Sequence, residues 1–170
     1  MTVRIRPEHP GDIAAIEALT REAFLTEAHS SHTEQYIVNA LRDAGVLSLS
    51  WVAERDGAVI GHASLSPVTL SQGEPGWYGL APVSVLPAYQ GQGVGSALVR
   101  QLLAQLQAQG AAGCVVLGDP GYYGRFGFLA HAGLTLPGVP AEYFQALSFG
   151  AVVPRGEVSF HPAFAAQAPD

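Results

Sequence analysis

Residues 86–97 read Leu86-Pro87-Ala88-Tyr89-Gln90-Gly91-Gln92-Gly93-Val94-Gly95-Ser96-Ala97, and the fold turns on how they are read. An apolar stretch over 81–86 leads in. Apolar residues at helical spacing over 94–109 lead out, so the three glycines stand where a strand gives way to a helix. The first amides of a helix have no helical acceptor, and aligned peptide dipoles put roughly half a positive charge at that end. Glycine there lets the backbone approach a ligand closely and adopt positive φ. The stretch therefore predicts an anion cradle of the kind that holds a phosphate or pyrophosphate.

The composition narrows what that anion could be. Of 170 residues, 48% are hydrophobic and 13% charged, which suits one folded domain and excludes a disordered chain. All eight cations are arginines, and the net charge is −6. Scattered arginines on an acidic chain exclude a nucleic-acid surface, which needs a basic stripe. Without lysine, a phosphate must be held chiefly by backbone amides. An acidic surface also tolerates a cationic, amine-bearing partner. No apolar run reaches the ~20 residues of a membrane span, so no membrane partner is expected. The absence of an apolar leader and the single cysteine, Cys114, point to the cytoplasm.

Along the chain, residues 3–6 alternate as a short strand that Pro7 ends. Asp12 is placed to cap a helix reaching about Ala28, with Ile13, Ile16, Leu19, Ala23 and Phe24 inward. Thr33 is placed to cap a second helix ending near Gly45, with Tyr36, Ile37, Ala40 and Leu41 inward. Asp56-Gly57 between two apolar runs predicts a two-residue hairpin. Residues 71–76 form a loop, and 77–86 the next strand. The helix from Val94 presents Ala97, Leu98, Leu102 and Leu106 to a core and stops at Gly110. A buried-type strand over 114–117 follows, and Asp119-Pro120 caps a brief helix carrying Tyr122 and Tyr123. Short strands around Leu134, residues 144–149 and residues 158–160 close the chain. This order predicts a single α/β domain, a mixed sheet with helices on both faces.

Three readings compete for the glycine stretch. A P-loop needs a lysine after its last glycine, and the chain has none. A dinucleotide fingerprint needs glycine or alanine at the sixth position, where Gly91-x-Gly93 has Ser96 and Gly93-x-Gly95 has Leu98. The third is the Gln-x-x-Gly-x-Gly pattern, met by Gln90, Gly93 and Gly95 after Val83-Ser84-Val85. It resembles the coenzyme A pyrophosphate loop of the GNAT acetyltransferase superfamily. A second motif, Tyr123-Gly-Arg-Phe-Gly127-Phe128, resembles the family's Tyr-x-x-x-Gly-Phe segment about thirty residues on. The resemblance spans residues 3–128. Gly61-His62, Ser66-Pro67-Val68, Gly118-Asp119-Pro120 and His161-Pro-Ala-Phe164 further resemble the YhbS-type subgroup of N-acetyltransferases.

The resemblance implies a mostly antiparallel sheet splayed between its fourth and fifth strands, with residues 129–170 completing the sheet and the acceptor side. It implies acetyl-CoA as co-substrate and direct transfer to a primary amine on a small molecule or peptide, and it leaves a homodimer open. Val83, Ser84 and Val85 would pair with the pantetheine arm, and the Val85 N–H would face the oxyanion. Gln90, Gly91, Gln92, Gly93, Val94, Gly95 and Ser96 would hold the pyrophosphate, and Asp119 would also contact the cofactor. Tyr123 would meet the departing thiolate as acid or hydrogen-bond donor. For the base the candidates are Glu54, His62, Ser84, His29, His32 and Glu34, and none stands out. His29-x-x-His32 lacks a third ligand, so no metal is expected. Cys114, in an apolar run, reads as core. A non-catalytic acyl-CoA sensor and a protein N-terminus or lysine acetyltransferase are the rival functions.

Overall fold

The computed structural model describes residues 2–28, 30–150 and 152–169. In chain order it has strand β1 (Arg4–Pro7), helices α1 (Ile13–Phe24) and α2 (Glu34–Asp43), then strands β2 (Leu49–Arg55), β3 (Ala58–Pro67), β4 (Thr69–Leu70) and β5 (Trp77–Val85). Helix α3 (Val94–Ala108), strand β6 (Gly113–Leu117) and the short helix α4 (Pro120–Tyr123) follow. Strands β7 (Leu134–Thr135), β8 (Phe144–Ser148) and β9 (Gly156–Ser159) complete it. Six strands form a mixed sheet in the order β1-β2-β3-β5-β6-β8, and β4, β9 and β7 form a second. The chain makes two compact units: residues up to 65, 81–102 and from 162 onward in the first, 66–80 and 103–161 in the second. No helix among the described residues is long and apolar enough to cross a membrane.

In the first unit β1, β2 and β3 pair antiparallel, and the expected turn at Asp56 and Gly57 (φ 52° and 80°) joins β2 to β3. The register sets Val52 opposite His62 and Ala53 opposite Gly61. Because side chains alternate across a strand, the two pairs lie on opposite faces. Val52 packs with Ile16 of α1 and Val38 of α2. On the other face, a methyl at Gly61 would lie 3.0 Å from Val94 Cγ1 and 3.2 Å from Leu98 Cδ1, so the start of α3 lies close on β3. The segment Pro162–Ala165 packs on α2.

Several local expectations give way here. Asp12 makes no side-chain cap for α1, because its carboxylate takes a bidentate pair from Arg6 (2.7 and 3.0 Å) and the His9 N–H instead. Thr33 makes none for α2, its hydroxyl lying 2.6 Å from that of Ser31. In α2 the buried positions are Gln35, Ile37, Val38 and Leu41, while Tyr36 and Ala40 are half-buried. In α3 Ala97 is exposed, and Val94, Leu98, Val99 and Leu102 carry the buried face.

The second unit is built on β6. It pairs in parallel with the start of β5, from Trp77↔Gly113 to Gly79↔Val115. On its other side it pairs antiparallel with β8, from Gly113↔Ser148 to Leu117↔Phe144. Trp77, Val115, Phe144 and Ala146 form a core with Val68, Leu70, Leu134 and Val158. Of the C-terminal strands only β8 joins the main sheet. β9 runs antiparallel to β4 and parallel to β7, so Leu70, Leu134 and Val158 close this core from a separate sheet. The two-residue β4 lies beyond sequence reading, because two residues are too short to show alternation.

Candidate active site

The glycine stretch and the strand before it belong to the first unit. β5 ends at Val85, and a 3-10 turn at Pro87–Tyr89 carries the chain to Gln90. There the Gln90 side chain turns back and donates from Nε2 to the Val85 carbonyl at 3.0 Å, while its own N–H donates to the Pro87 carbonyl. Gln90 therefore ties the loop to the end of β5. Gln92 repeats the device one turn on, donating to the Ala88 carbonyl at 3.2 Å. The Arg55 guanidinium lies 5.4 Å from the Tyr89 ring centroid and steadies the turn.

Gly91 and Gly93 have φ of 74° and 84°, the left-handed region that side chains resist. A Cβ built on either would meet nothing within 4 Å. The space above both backbones is open, which is what a group laid against their amides needs. The first bond into α3 runs from the Ala97 N–H to the Gly93 carbonyl, so the amides of Gly93, Val94 and Gly95 have no helical acceptor. Val94 is buried as the hydrophobic anchor of the helix start, and Gly95 and Ser96 are half-buried. Val83 and Val85 are half-buried, and Ser84 between them is buried.

Asp119 and Tyr123 belong to the second unit. Asp119 caps α4 as expected, accepting from the Gly121 N–H at 2.9 Å. The exposed carboxylate thereby fixes a turn that delivers Tyr123. The Tyr123 ring meets Tyr122 edge-on at 5.0 Å and Phe128 edge-on at 6.0 Å. It also lies over Gly118, where a Cβ would stand 2.5 Å from Tyr123 Cε2. The sequence offers Gly118 only as part of a motif, and the folded ring shows why a side chain is excluded there. Burial pushes the Tyr123 phenol up to about 12, with Tyr122 and Cys114 adding to the shift. Tyr122 is held by its rings and by the Arg125 guanidinium, 4.4 Å over its face.

The base candidates fall in different settings. Glu54 pairs with Arg6 at 3.4 Å. Glu34 accepts from the Ser30 hydroxyl, and His32 is exposed with φ 60°. His29 lies outside the described residues. His62 and Ser84 are buried on the sheet. Among the described residues no three His, Cys, Asp or Glu side chains come together as metal ligands. Cys114 is fully buried, and desolvation pushes its thiol far above the usual range, which leaves it inert as a nucleophile.

The model of the acetyltransferase (GNAT) family matches residues 13–128. The chain is 42% identical over 125 residues to the N-acetyltransferase YhbS of Escherichia coli K12, an alignment covering 73% of this chain and 72% of YhbS. Among solved structures, a GNAT family acetyltransferase from Brucella melitensis in complex with acetyl-CoA superposes with a TM-score of 0.86 at 52% identity, covering 96% of this chain and 98% of that one. E. coli YhbS in complex with CoA superposes at 0.85 with 38% identity, covering 98% and 93%. With the family model matched over residues 13–128 and YhbS 42% identical across 73% of the chain, the chain belongs to the GNAT acetyltransferase family.

Proposed function

We propose that this chain moves the acetyl group of acetyl-CoA to a primary amine by direct attack, with donor and acceptor bound together. The observation that carries the reading is the open turn at Gly91 and Gly93, which leads into helix amides with no helical acceptor. It is the shape that receives a pyrophosphate in a chain without lysine. The Brucella and E. coli relatives hold acetyl-CoA and CoA, the donor before and after transfer.

When bound, acetyl-CoA supplies an activated acyl group; the chain's residues position it and manage charge. Gly91 to Ser96 hold the pyrophosphate, and residues 83–85 hold the extended pantetheine arm. The Val85 N–H donates to the acetyl oxygen as negative charge gathers there, a contact of the kind worth ~3 kcal/mol. Tyr123, kept protonated by burial, donates a hydrogen bond to the departing sulfur. The acceptor is a primary amine on a small molecule or peptide, and the chain's net charge of −6 suits a cationic partner.

Calorimetric titration with acetyl-CoA, followed by thiol release over a panel of amines, tests the reading. Binding together with amine-dependent thiol release is the expected result. Binding without release over the whole panel would favour the sensor, and no binding would remove the reading altogether.

A further inference from the structure

On the face of the first unit covered by α1 and α2, four polar side chains form one continuous chain. Arg42 of α2 donates to both carboxylate oxygens of Glu8, from Nη2 at 2.8 Å and from Nε at 3.2 Å. The Ser50 hydroxyl of β2 donates to Glu8 Oε1. Ser50 Oγ also lies 2.8 Å from Nε2 of His62 on β3. An ionised carboxylate can only accept, so the Ser50 proton is committed to Glu8 and its oxygen must accept from His62. This fixes the imidazole as the Nε2–H tautomer, with the lone pair on Nδ1.

That Nδ1 is buried and has no partner. An unmade acceptor in the interior costs ~1–3 kcal/mol, so its partner is worth seeking. The neighbouring strand carries a complement, because Ser84 Oγ of β5 is likewise buried and unpaired. The Leu86 N–H donates to the Ile60 carbonyl at 2.9 Å, which sets β5 antiparallel beside β3. Counting two residues along each strand puts Ser84 opposite His62, on the same face. One atom needs a donor, and the hydroxyl facing it is a donor without an acceptor.

We propose that His62 is a positioning residue that accepts a hydrogen bond from Ser84 through one buried water, and so fixes residues 83–85. Arg42 and Glu8, each about one-fifth exposed, anchor the outer end, and Ser50 and His62 carry the constraint inward across the sheet. The inner end is the residue before Val85, whose N–H the proposed function aims at the acetyl oxygen. The inference rests on that reading for its catalytic consequence but not for the hydrogen bond itself.

A double-mutant cycle with histidine-labelled ¹⁵N NMR tests it. His62→Gln keeps a donor for Ser50 but loses the Nδ1 lone pair, and Ser84→Ala removes the hydroxyl. Each should lower kcat by ~10- to 10²-fold, as small misplacements of a reacting group do. The double variant should be no slower than either single one. Multiplying effects, or a single variant with wild-type kcat, would overturn the proposal. In unsubstituted protein the spectrum should show a neutral Nε2–H imidazole whose Nδ1 resonance moves on Ser84→Ala. An Nδ1–H tautomer, or an unmoved resonance, would overturn it. If wild-type protein acetylates no amine, the proposed function fails while the spectrum still decides the hydrogen bond. If Ser84→Ala does not fold, the tautomer in unsubstituted protein decides.

Discussion

Tyr123 and His62 show how burial assigns chemistry that residue type alone leaves open. A tyrosine near 12 and a thiol near 8.5 differ by about 3.5 units, so full proton transfer to the thiolate is uphill by about 5 kcal/mol. In the proposed reaction the phenol is therefore a hydrogen-bond donor to the sulfur and not a full acid. Tyr123→Phe should lower kcat by ~10² to 10⁴ with little change in CoA affinity, read by thiol release and calorimetry. His62 is shifted the other way, down to about 4 from 6.5, chiefly by desolvation. Between those values the unfolded chain binds a proton that the folded chain refuses. Stability should thus fall as pH drops from above 6.5 through 4, by up to about 3 kcal/mol. Urea midpoints across that window should show the slope in wild type and a flatter profile in His62→Gln. Asp12, held at about 2 by Arg6, loses its share only at lower pH. None of these shifts is legible in sequence, because each depends on burial or on a side-chain pairing that only the folded chain sets. Ser50 and Glu8, joined by a hydrogen bond, are 42 residues apart in the chain.

At the scale of elements, the strand–turn–α3 unit was readable because its signals are local: a glycine run, an apolar strand, and helical spacing behind it. The same holds for the Asp56-Gly57 hairpin and the Asp119 cap. The caps expected from Asp12 and Thr33 failed because another partner took the side chain, an arginine in one case and a neighbouring serine in the other. The second sheet stayed hidden because β4 and β7 are two residues each and exist only through β9. Two substitutions test the elements. Gly93→Val places a β-branched side chain at φ 84°, in space a ligand would occupy, and should weaken acetyl-CoA binding severely in titration calorimetry. Wild-type affinity in folded Gly93→Val protein would remove the turn from the donor site. Cys114→Ala, inside β6, should keep kcat and lose about 1 kcal/mol of stability by thermal or urea unfolding. Folded but inactive Cys114→Ala protein would reopen a cysteine mechanism.

At the scale of the whole molecule, the resemblance carried by two short motifs extends over nearly all of the chain, as the 96% and 98% coverage of the two solved relatives shows. On the proposed function, the motifs describe the donor side: a turn for the pyrophosphate, a strand end for the pantetheine, a tyrosine for the sulfur. On the same proposal, acceptor choice lies elsewhere, in polar side chains such as Ser30, His32 and Glu34 around the start of α2, whose types are common to many polar loops. That is why the donor could be read from residues and the acceptor only as a class. The most direct test of the central claim is amine-dependent thiol release from acetyl-CoA by the purified chain, with the acetylated amine identified by mass spectrometry. Stoichiometric release of CoA and appearance of the N-acetyl product are the predicted result; tight acetyl-CoA binding with no acetylated product from any primary amine would contradict it.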